Sequence, residues 1–428
     1  MGRIRALVGG QRGEDVVNAS APAPAGPELE DVVTFPLRRD APPTPLDLER
    51  LSTCPLVQMF VVGRSGSGLV HAFLDGHPEV LHVPHTFKFY DFVAAHPQLT
   101  SLDAPAVARL FAEWPPLAFL FDSHRSVIIG GRLGPSMRTY VRVDPGRFAE
   151  TMTAVLTGHA MTVRNVFLAA VLAYGWCVGQ DVSRASVVFH HLHHGDWLWP
   201  ERLIDRSNYS TPLDVPAREI LKADAFVVSL REPYDTYNSH VRFISGQNLP
   251  DTQRVHFQEQ FLHLIMQDWD RLVVASHSGT PVHVVRIEAL RGNAAETMRA
   301  CAAFLGIDPS HPELERLTYY GFEWFGDIYT EASSRVHGTR PKTVLDWRDR
   351  WYCDTLLAPD ARQYGYPHHS VPLGSRRLAL AALSAAPPAP ILFDRSIADR
   401  AAQQAAAALR SRERVEFARR WLELRATA

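Results

Sequence analysis

Cysteine is scarce. Cys54, Cys177, Cys301 and Cys353 are the only four in 428 residues, and no two stand in CxxC spacing. That excludes a disulfide framework and a cysteine-built zinc site, and leaves them as small core residues of a protein in a reducing compartment. An excess of either charge is also missing: Lys plus Arg number 44 against 46 for Asp plus Glu, a formal net charge of −2. Without a long-range basic field, DNA and RNA are not expected partners, and any anion site must be built locally. Long apolar runs are lacking too. The longest, Val166 to Val178, is shorter than the roughly 20 residues that a bilayer span needs and reads as a buried core helix. Behind Arg3 and Arg5 the chain turns polar and proline-rich, with neither a signal-peptide apolar core nor an anchor. The expectation is a cytoplasmic protein with no membrane span.

What is present centres on Val57 to Leu74, VQMFVVGRSGSGLVHAFL. Val57, Met59, Phe60, Val61 and Val62 have the length and branching of a buried strand, whereas Leu69, Val70, Phe73 and Leu74 recur at helical spacing. Between them lies a loop of Gly63, Arg64, Ser65, Gly66, Ser67 and Gly68. Glycines allow backbone N–H groups to turn inward, a helix start adds partial positive charge, and Arg64 and the hydroxyls add fixed donors, a combination that favours a phosphate- or sulfate-type anion. The nucleotide-hydrolase loop GxxxxGK[ST] is not matched, because no lysine follows Gly68. An ATP or GTP site is therefore disfavoured.

Further β-rich runs are Glu79 to Val83, Ala185 to Phe189, Ala225 to Leu230 and Pro281 to Ile287, with a helix expected over Ala294 to Leu305. Strands alternating with helical stretches predict an α/β fold with a mainly parallel central sheet flanked by helices. Residues 1–50, with AlaProAlaProAlaGlyPro and AlaProProThrPro, read as a flexible leader holding neither helix nor sheet. Residues 51–366 form the main domain, with 101–180 mostly helical, including one long periodic run from Phe148 to Val178, and walling a pocket. Residues 367–428 form a proline-marked linker and a C-terminal helical extension from Asp394 to Arg425, whose apolar positions suit packing on the domain or on a second copy in a homo-oligomer.

The second motif is FVVSLREPYDTYNS, Phe226 to Ser239. An apolar strand delivers Arg231 at its carboxyl end, Pro233 opens a helix, and Ser239 follows eight residues after the arginine. A planar guanidinium offers phosphate paired donors in a fixed fork. Together, VVGRSGSGLVHAFLDGHPEV and RxPxDxxxS resemble the 5′-phosphosulfate loop and the 3′-phosphate motif of the sulfotransferases that use 3′-phosphoadenosine 5′-phosphosulfate (PAPS), in the bacterial and carbohydrate-type branch. VVRIEAL (284–290) and FLGI (304–307) resemble the strand and helix that follow in that family. The resemblance covers 55–100, 185–245 and 280–366 and hardly touches 101–180. Gly68 departs from it, standing where the family usually carries a hydroxyl.

The resemblance implies a P-loop-like sulfotransferase fold with an extra C-terminal helix. It also implies PAPS as co-substrate, held by Gly63 to Gly68, Arg231 and Ser239, and a small-molecule or carbohydrate acceptor. Sulfuryl transfer needs a base for the acceptor proton and donors for the leaving oxygen, with Arg64 serving the latter and no metal expected. His191 is the first candidate base, because HisLeu at 191 and 192 is similar to the family's His-Leu-Pro segment. Phe189, His190 and His193 depart from that segment. His85 is the second, standing in the connection after the first helix where bacterial members carry a glutamate. The family's basic segment is echoed loosely by His337 to Lys342. The run His190, His191, His193, His194 and Asp196 also admits a zinc reading, with His191 and His193 on one strand face, but no third ligand stands at a recognisable spacing. Two alternatives remain: a nucleotide kinase-like P-loop enzyme, and a catalytically inactive nucleotide-binding or scaffold protein.

Overall fold

The computed structural model describes residues 31–35, 41–84, 87–126, 133–135, 138–193, 221–245, 264–265, 268–269, 271–324 and 361–366. Its strands are β1 (Asp31–Thr34), β2 (Leu56–Val61), β3 (Val80–His82), β4 (Thr139–Arg142), β5 (Val187–His193), β6 (Ala225–Leu230), β7 (Val282–Arg286), β8 (Thr318–Tyr319) and β9 (Phe322–Glu323). The principal helices are α1 (Pro45–Ser52), α2 (Ser67–Leu74), α3 (Phe89–Ala95), α4 (Ala104–Glu113), α5 (Pro145–Leu156), α6 (Val163–Cys177), α7 (Pro233–Ser245), α8 (Ile287–Gly292) and α9 (Ala294–Leu305).

The central sheet has five strands in the order β3-β5-β2-β6-β7, every neighbouring pair parallel. Its middle strand is buried on both faces. Val57 and Met59 pack with Val70, Phe73 and Leu74 of α2 and with Met298 and Leu305 of α9. Leu56 and Phe60 pack on the opposite side with the large cluster around α3, α4, α5 and α6. The fold is thus α/β, with a parallel sheet between two helical layers. From β2 the chain goes outward to β3, returns with β5, and crosses to the other side of β2 with β6 and β7. The order reverses at β2, so the crevice beyond its carboxyl end is the topological switch point at which open α/β sheets take up ligands. No helix among the described residues is long and apolar enough to cross a membrane.

Strands β6 and β7 and helix α9 fall within a residue of the expected bounds, and Pro233 opens α7 as anticipated. Three expectations are corrected. The segment read as holding neither helix nor sheet supplies both β1, paired in parallel with β4, and α1. The prolines of AlaProProThrPro do not prevent this, because Pro45 occupies the first turn of α1, where a missing N–H costs nothing, and Thr44 and Asp47 form a capping box ahead of it. The long periodic run from Phe148 to Val178 is two helices, α5 and α6, since Thr157 ends one and Thr162 caps the next. Strand β5 runs four residues beyond Phe189, which places His190 and His191 inside the sheet rather than in a loop after it. The C-terminal helix expected over Asp394 to Arg425, the segment His337 to Lys342 and Cys353 lie outside the described residues.

Helix α6 lies close on the sheet because Gly175 has no side chain. A Cβ there would stand 2.5 Å from Leu81 Cδ1 and 2.8 Å from Gln180 Oε1. Helix propensity alone would favour alanine over glycine by about 1 kcal/mol, so the sign of the substitution tests the packing. Gly175→Ala should instead lower the unfolding free energy by about 1–3 kcal/mol through overpacking, read from urea denaturation. Adding Leu81→Val should restore part of the loss, and a stabilising Gly175→Ala would overturn this account.

Candidate functional site

The loop from Val62 to Gly66 leaves β2 at the switch point and turns directly into α2. Its backbone is unusual. Gly66 sits at φ +80°, a left-handed conformation, and a Cβ on it would meet Ile287 Cδ1 at 2.5 Å, so only glycine fits. Arg64 has φ +20°, an uncommon value for a residue with a side chain and of the kind that gathers at ligand-binding loops. The Gly63 N–H is already taken, donating to Asp268 Oδ2 at 3.0 Å, and Arg271 pairs with the same carboxylate at 3.1 Å. Ser65 Oγ shares a 2.7 Å hydrogen bond with Ser229 Oγ, tying the loop to β6. Leu69 and Val70 donate to the Gly66 carbonyl, whereas the N–H groups of Ser65, Gly66, Ser67 and Gly68 donate to no described residue. Four backbone donors therefore remain at the start of α2, where the helix dipole is positive. Gly68 is inside the helix, its carbonyl accepting from Tyr319 OH at 3.0 Å. A Cβ there would reach only ordinary contact distance from Trp324 and Tyr319, so the position has room for the hydroxyl side chain it lacks.

Arg231 follows the last residue of β6 and is 7% exposed. No described carboxylate or carbonyl lies within hydrogen-bond or ion-pair distance of its guanidinium. Burial lowers its pKa, the positive charges of Arg291 and Arg64 lower it further, and Asp235 and Glu288 oppose them from beyond pairing distance. A buried cation in the field of two others is costly unless an anion joins them. Glu288 is engaged elsewhere. Its Oε1 accepts the Glu232 N–H at 2.9 Å and its Oε2 accepts the Tyr366 hydroxyl at 3.0 Å, which fixes the strand-to-helix junction that carries Arg231. Ser239 lies two turns along α7 and is half-buried.

The histidines divide between the two faces of the sheet. His190 faces α3 and α6, within ring contact of Phe87, Tyr90 and Phe167, and its Nε2 bonds to the Phe87 carbonyl at 3.2 Å. Burial pushes its pKa down to about 4. His191 faces α2, where its Nδ1 lies 3.1 Å from His71 Nδ1. His71 Nε2 lies 2.8 Å from His82 Nδ1, and His82 Nε2 lies 3.4 Å from Asp75 Oδ1. Both Asp75 oxygens accept backbone N–H groups, from Tyr320 at 3.2 Å and Gly321 at 2.9 Å. Opposite Met59 and Phe60, β5 carries one extra residue, Leu192, a bulge that interrupts the alternation expected to put His191 and His193 on one face. The side chain of His193, and His85, His194 and Asp196, lie outside the described residues. Among the described residues no group of three or more His, Cys, Asp or Glu is placed to hold a metal.

Structure thus gathers Gly63 to Gly68, Arg64 and Arg231 around the carboxyl end of β2, and sets His191 deeper, beside the first turns of α2. Sequence reasoning missed Asp268, Ser229, Arg291, His71, His82 and Asp75. Of these only His71 and Asp75 offered a signal, since with Ser67 they recur every four residues and so share one stripe of the helix. No family model matches the chain, and no curated protein matches it either.

The depressed pKa of His190 carries a stability consequence. In the unfolded chain it titrates near 6.5 and in the folded chain near 4, so unfolded molecules bind the proton first as pH falls. Its contribution is fully present above pH 6.5 and is lost through the window from 6.5 to 4, by about 3 kcal/mol in all. Urea unfolding of the wild type and His190→Gln at pH 7 and pH 4 should show the gap between them shrinking by that order. A gap that stays constant would mean that His190 is charged or exposed.

Proposed function

We propose that this chain is a PAPS-dependent sulfotransferase of P-loop-like fold, transferring the sulfonate group to a hydroxyl of a carbohydrate or secondary metabolite. The observation that carries this is Arg231: a buried guanidinium without a carboxylate partner among the described residues, within the field of Arg64 and Arg291 and beside a loop whose four N–H donors are likewise not taken up by any described residue. Such a site calls for a ligand with more than one anionic group, which PAPS supplies as a 5′-phosphosulfate and a 3′-phosphate. The loop N–H groups and Arg64 would hold the 5′ end and stabilise charge on the leaving phosphate oxygen. Arg231 and Ser239 would hold the 3′-phosphate. The transferred sulfonate carries less charge than a phosphoryl group, so fixed cations and amides can do the work that a magnesium ion does in kinases. His191 would accept the proton of the acceptor hydroxyl as sulfur–oxygen bond formation proceeds, and His85 remains the second candidate for that task. The free thiols of Cys54, Cys177 and Cys301 suit a reducing compartment, and the proposal includes a cytoplasmic location.

Ligand stabilisation tests the assignment without knowledge of the acceptor. Adenosine 3′,5′-bisphosphate should raise the Tm where ATP does not, and at a hundredfold over its Kd by an amount equivalent to about 2.7 kcal/mol. Arg231→Ala should weaken the bisphosphate by about tenfold to a hundredfold, the worth of one charge-assisted contact. Adenosine 5′-phosphosulfate, lacking the 3′-phosphate, should lose little. Equal losses for the two ligands would remove Arg231 from the 3′ site, and stabilisation by ATP alone would favour a kinase-like enzyme. Tight bisphosphate binding without turnover on any hydroxyl acceptor would favour an inactive binding protein.

A further inference from the structure

Helix α8 touches both anion-facing segments and carries a further arginine. Its first residue, Ile287, packs behind the loop, where its Cδ1 lies 2.5 Å from the position that a Cβ on Gly66 would take. Its second, Glu288, accepts the Glu232 N–H at 2.9 Å, one residue past the buried Arg231. Arg291 follows these two residues by four and by three, the spacing at which side chains share a helical face. It therefore issues from the face of α8 that meets the loop and the β6–α7 junction. Leu290 beside it is fully buried in one cluster with Met298 and Cys301 of α9, which fixes the rotation of the helix. Arg291 itself is half-buried, and no carboxylate among the described residues lies within ion-pair distance of it. The arginine of the next strand is used differently: Arg286, across from Leu230 in the β6–β7 pair, holds its guanidinium 4.9 Å from the centre of the Tyr366 ring.

We propose that Arg291 and Arg231 form a two-arginine clamp on one phosphomonoester group, with Arg291 the binding residue that sets how much charge the group must carry. The electrostatics agree with the placement. Burial is the main cause that lowers the Arg231 pKa, and among the neighbouring charges Arg291 lowers it more than Arg64 does. Arg291 is thus the stronger companion of Arg231, and Arg64 belongs to the loop end of the site. The chemical class follows from counting charges and oxygens. A phosphomonoester brings between about 1.5 and 2 negative charges at neutral pH and three acceptor oxygens, enough for a guanidinium fork from each side. A phosphodiester or a sulfate ester brings a single charge and leaves one arginine uncompensated. Resting on the proposed transferase function, the group is the 3′-phosphate of the donor nucleotide, and Arg291 adds there a cation that lies outside the motif from Phe226 to Ser239. The clamp accordingly separates 3′-phosphorylated nucleotides from those that end in a ribose hydroxyl.

Inorganic phosphate tests the clamp without any nucleotide. Thermal melts of the full chain, titrated with sodium phosphate against sodium chloride at matched ionic strength, give the phosphate affinity from the shift in Tm. At low ionic strength and without phosphate, Arg291→Gln should melt no lower than the wild type, because it takes a like charge away from Arg231. Its phosphate affinity should fall by about tenfold to a hundredfold, the worth of one charge-assisted contact. Arg291→Lys, which keeps the charge and loses the fork, should recover part of that loss. Equal phosphate shifts in wild type and Arg291→Gln, a wild type that phosphate does not stabilise, or a variant that melts lower without phosphate would each overturn the clamp. Nucleotides then identify the group. Arg291→Gln should lose about tenfold to a hundredfold in affinity for adenosine 3′,5′-bisphosphate and little for adenosine 5′-phosphosulfate, which lacks the 3′-phosphate. Equal losses for the two would place Arg291 at the 5′ end and overturn its pairing with Arg231. A phosphate response that depends on Arg291, in a protein that binds neither nucleotide, would keep the clamp and refute the transferase.

Discussion

A buried guanidinium without an ion-pair partner among the described residues sets the terms for the rest of this structure. Taking Arg231 to 7% exposure removes most of its hydration, and isolated buried charge is among the most expensive features that a fold can contain. The expense is tolerable only if the surroundings are rigid enough to prevent the side chain from swinging out. That rigidity is visible in the junction after β6. Glu288 grips the Glu232 N–H from one side and the Tyr366 hydroxyl from the other, while Glu232 caps the Asp235 N–H at 2.7 Å. Glu288 and Glu232 are thus engaged in holding its backbone, and no carboxylate among the described residues pairs with it, Asp235 acting only from beyond pairing distance.

The same division of labour holds on the other side of β2. Asp268 is completely buried and could cancel the positive loop, yet its oxygens go to the Gly63 N–H and to Arg271. It shapes the first turn of the loop, and the later amides donate to no described residue. Ser65 and Ser229 then join the loop to β6, the strand that ends at Arg231. Buried Asp268 and half-buried Glu288 each accept a backbone N–H beside this set of positive groups. An anion bridging Arg64 and Arg231 would complete the arrangement and replace repulsion by attraction on both sides.

The sheet and its main helices were legible because they rest on periodicity and on local stop signals. Ala225 to Leu230 and Ala294 to Leu305 are bounded by turn residues and match the folded elements residue for residue. The loop 63–68 and Arg231 were legible because glycine spacing and a strand-terminal arginine are local features too. The errors have a common physical source, which is pairing with distant chain. Strand β1 exists because β4 offers it an edge more than a hundred residues away, and β5 extends through His190 and His191 because β2 continues beside it. No local pattern records such partners. The buried contacts among His71, His82 and His191 were hidden for the same reason. His82 comes from β3 and His191 from β5, and only the order β3-β5-β2 with α2 laid across it brings their rings together.

Helix α2 therefore serves two chemical ends through one stripe of residues. Its amino end carries Ser67 and the neighbouring amides, where the dipole would favour an anion; its carboxyl end is capped by Asp75, where a negative charge would be opposed by the dipole. A carboxylate in that unfavourable position needs compensation, and it finds it in two backbone N–H groups of the β8–β9 turn and in His82. The helix that carries the loop amides at one end thus also seats His71 between His82 and His191. Donor binding and proton acceptance would then depend on the seating of a single helix, so a substitution that tilts α2 would impair both together, whereas one that breaks a ring contact would impair only the second.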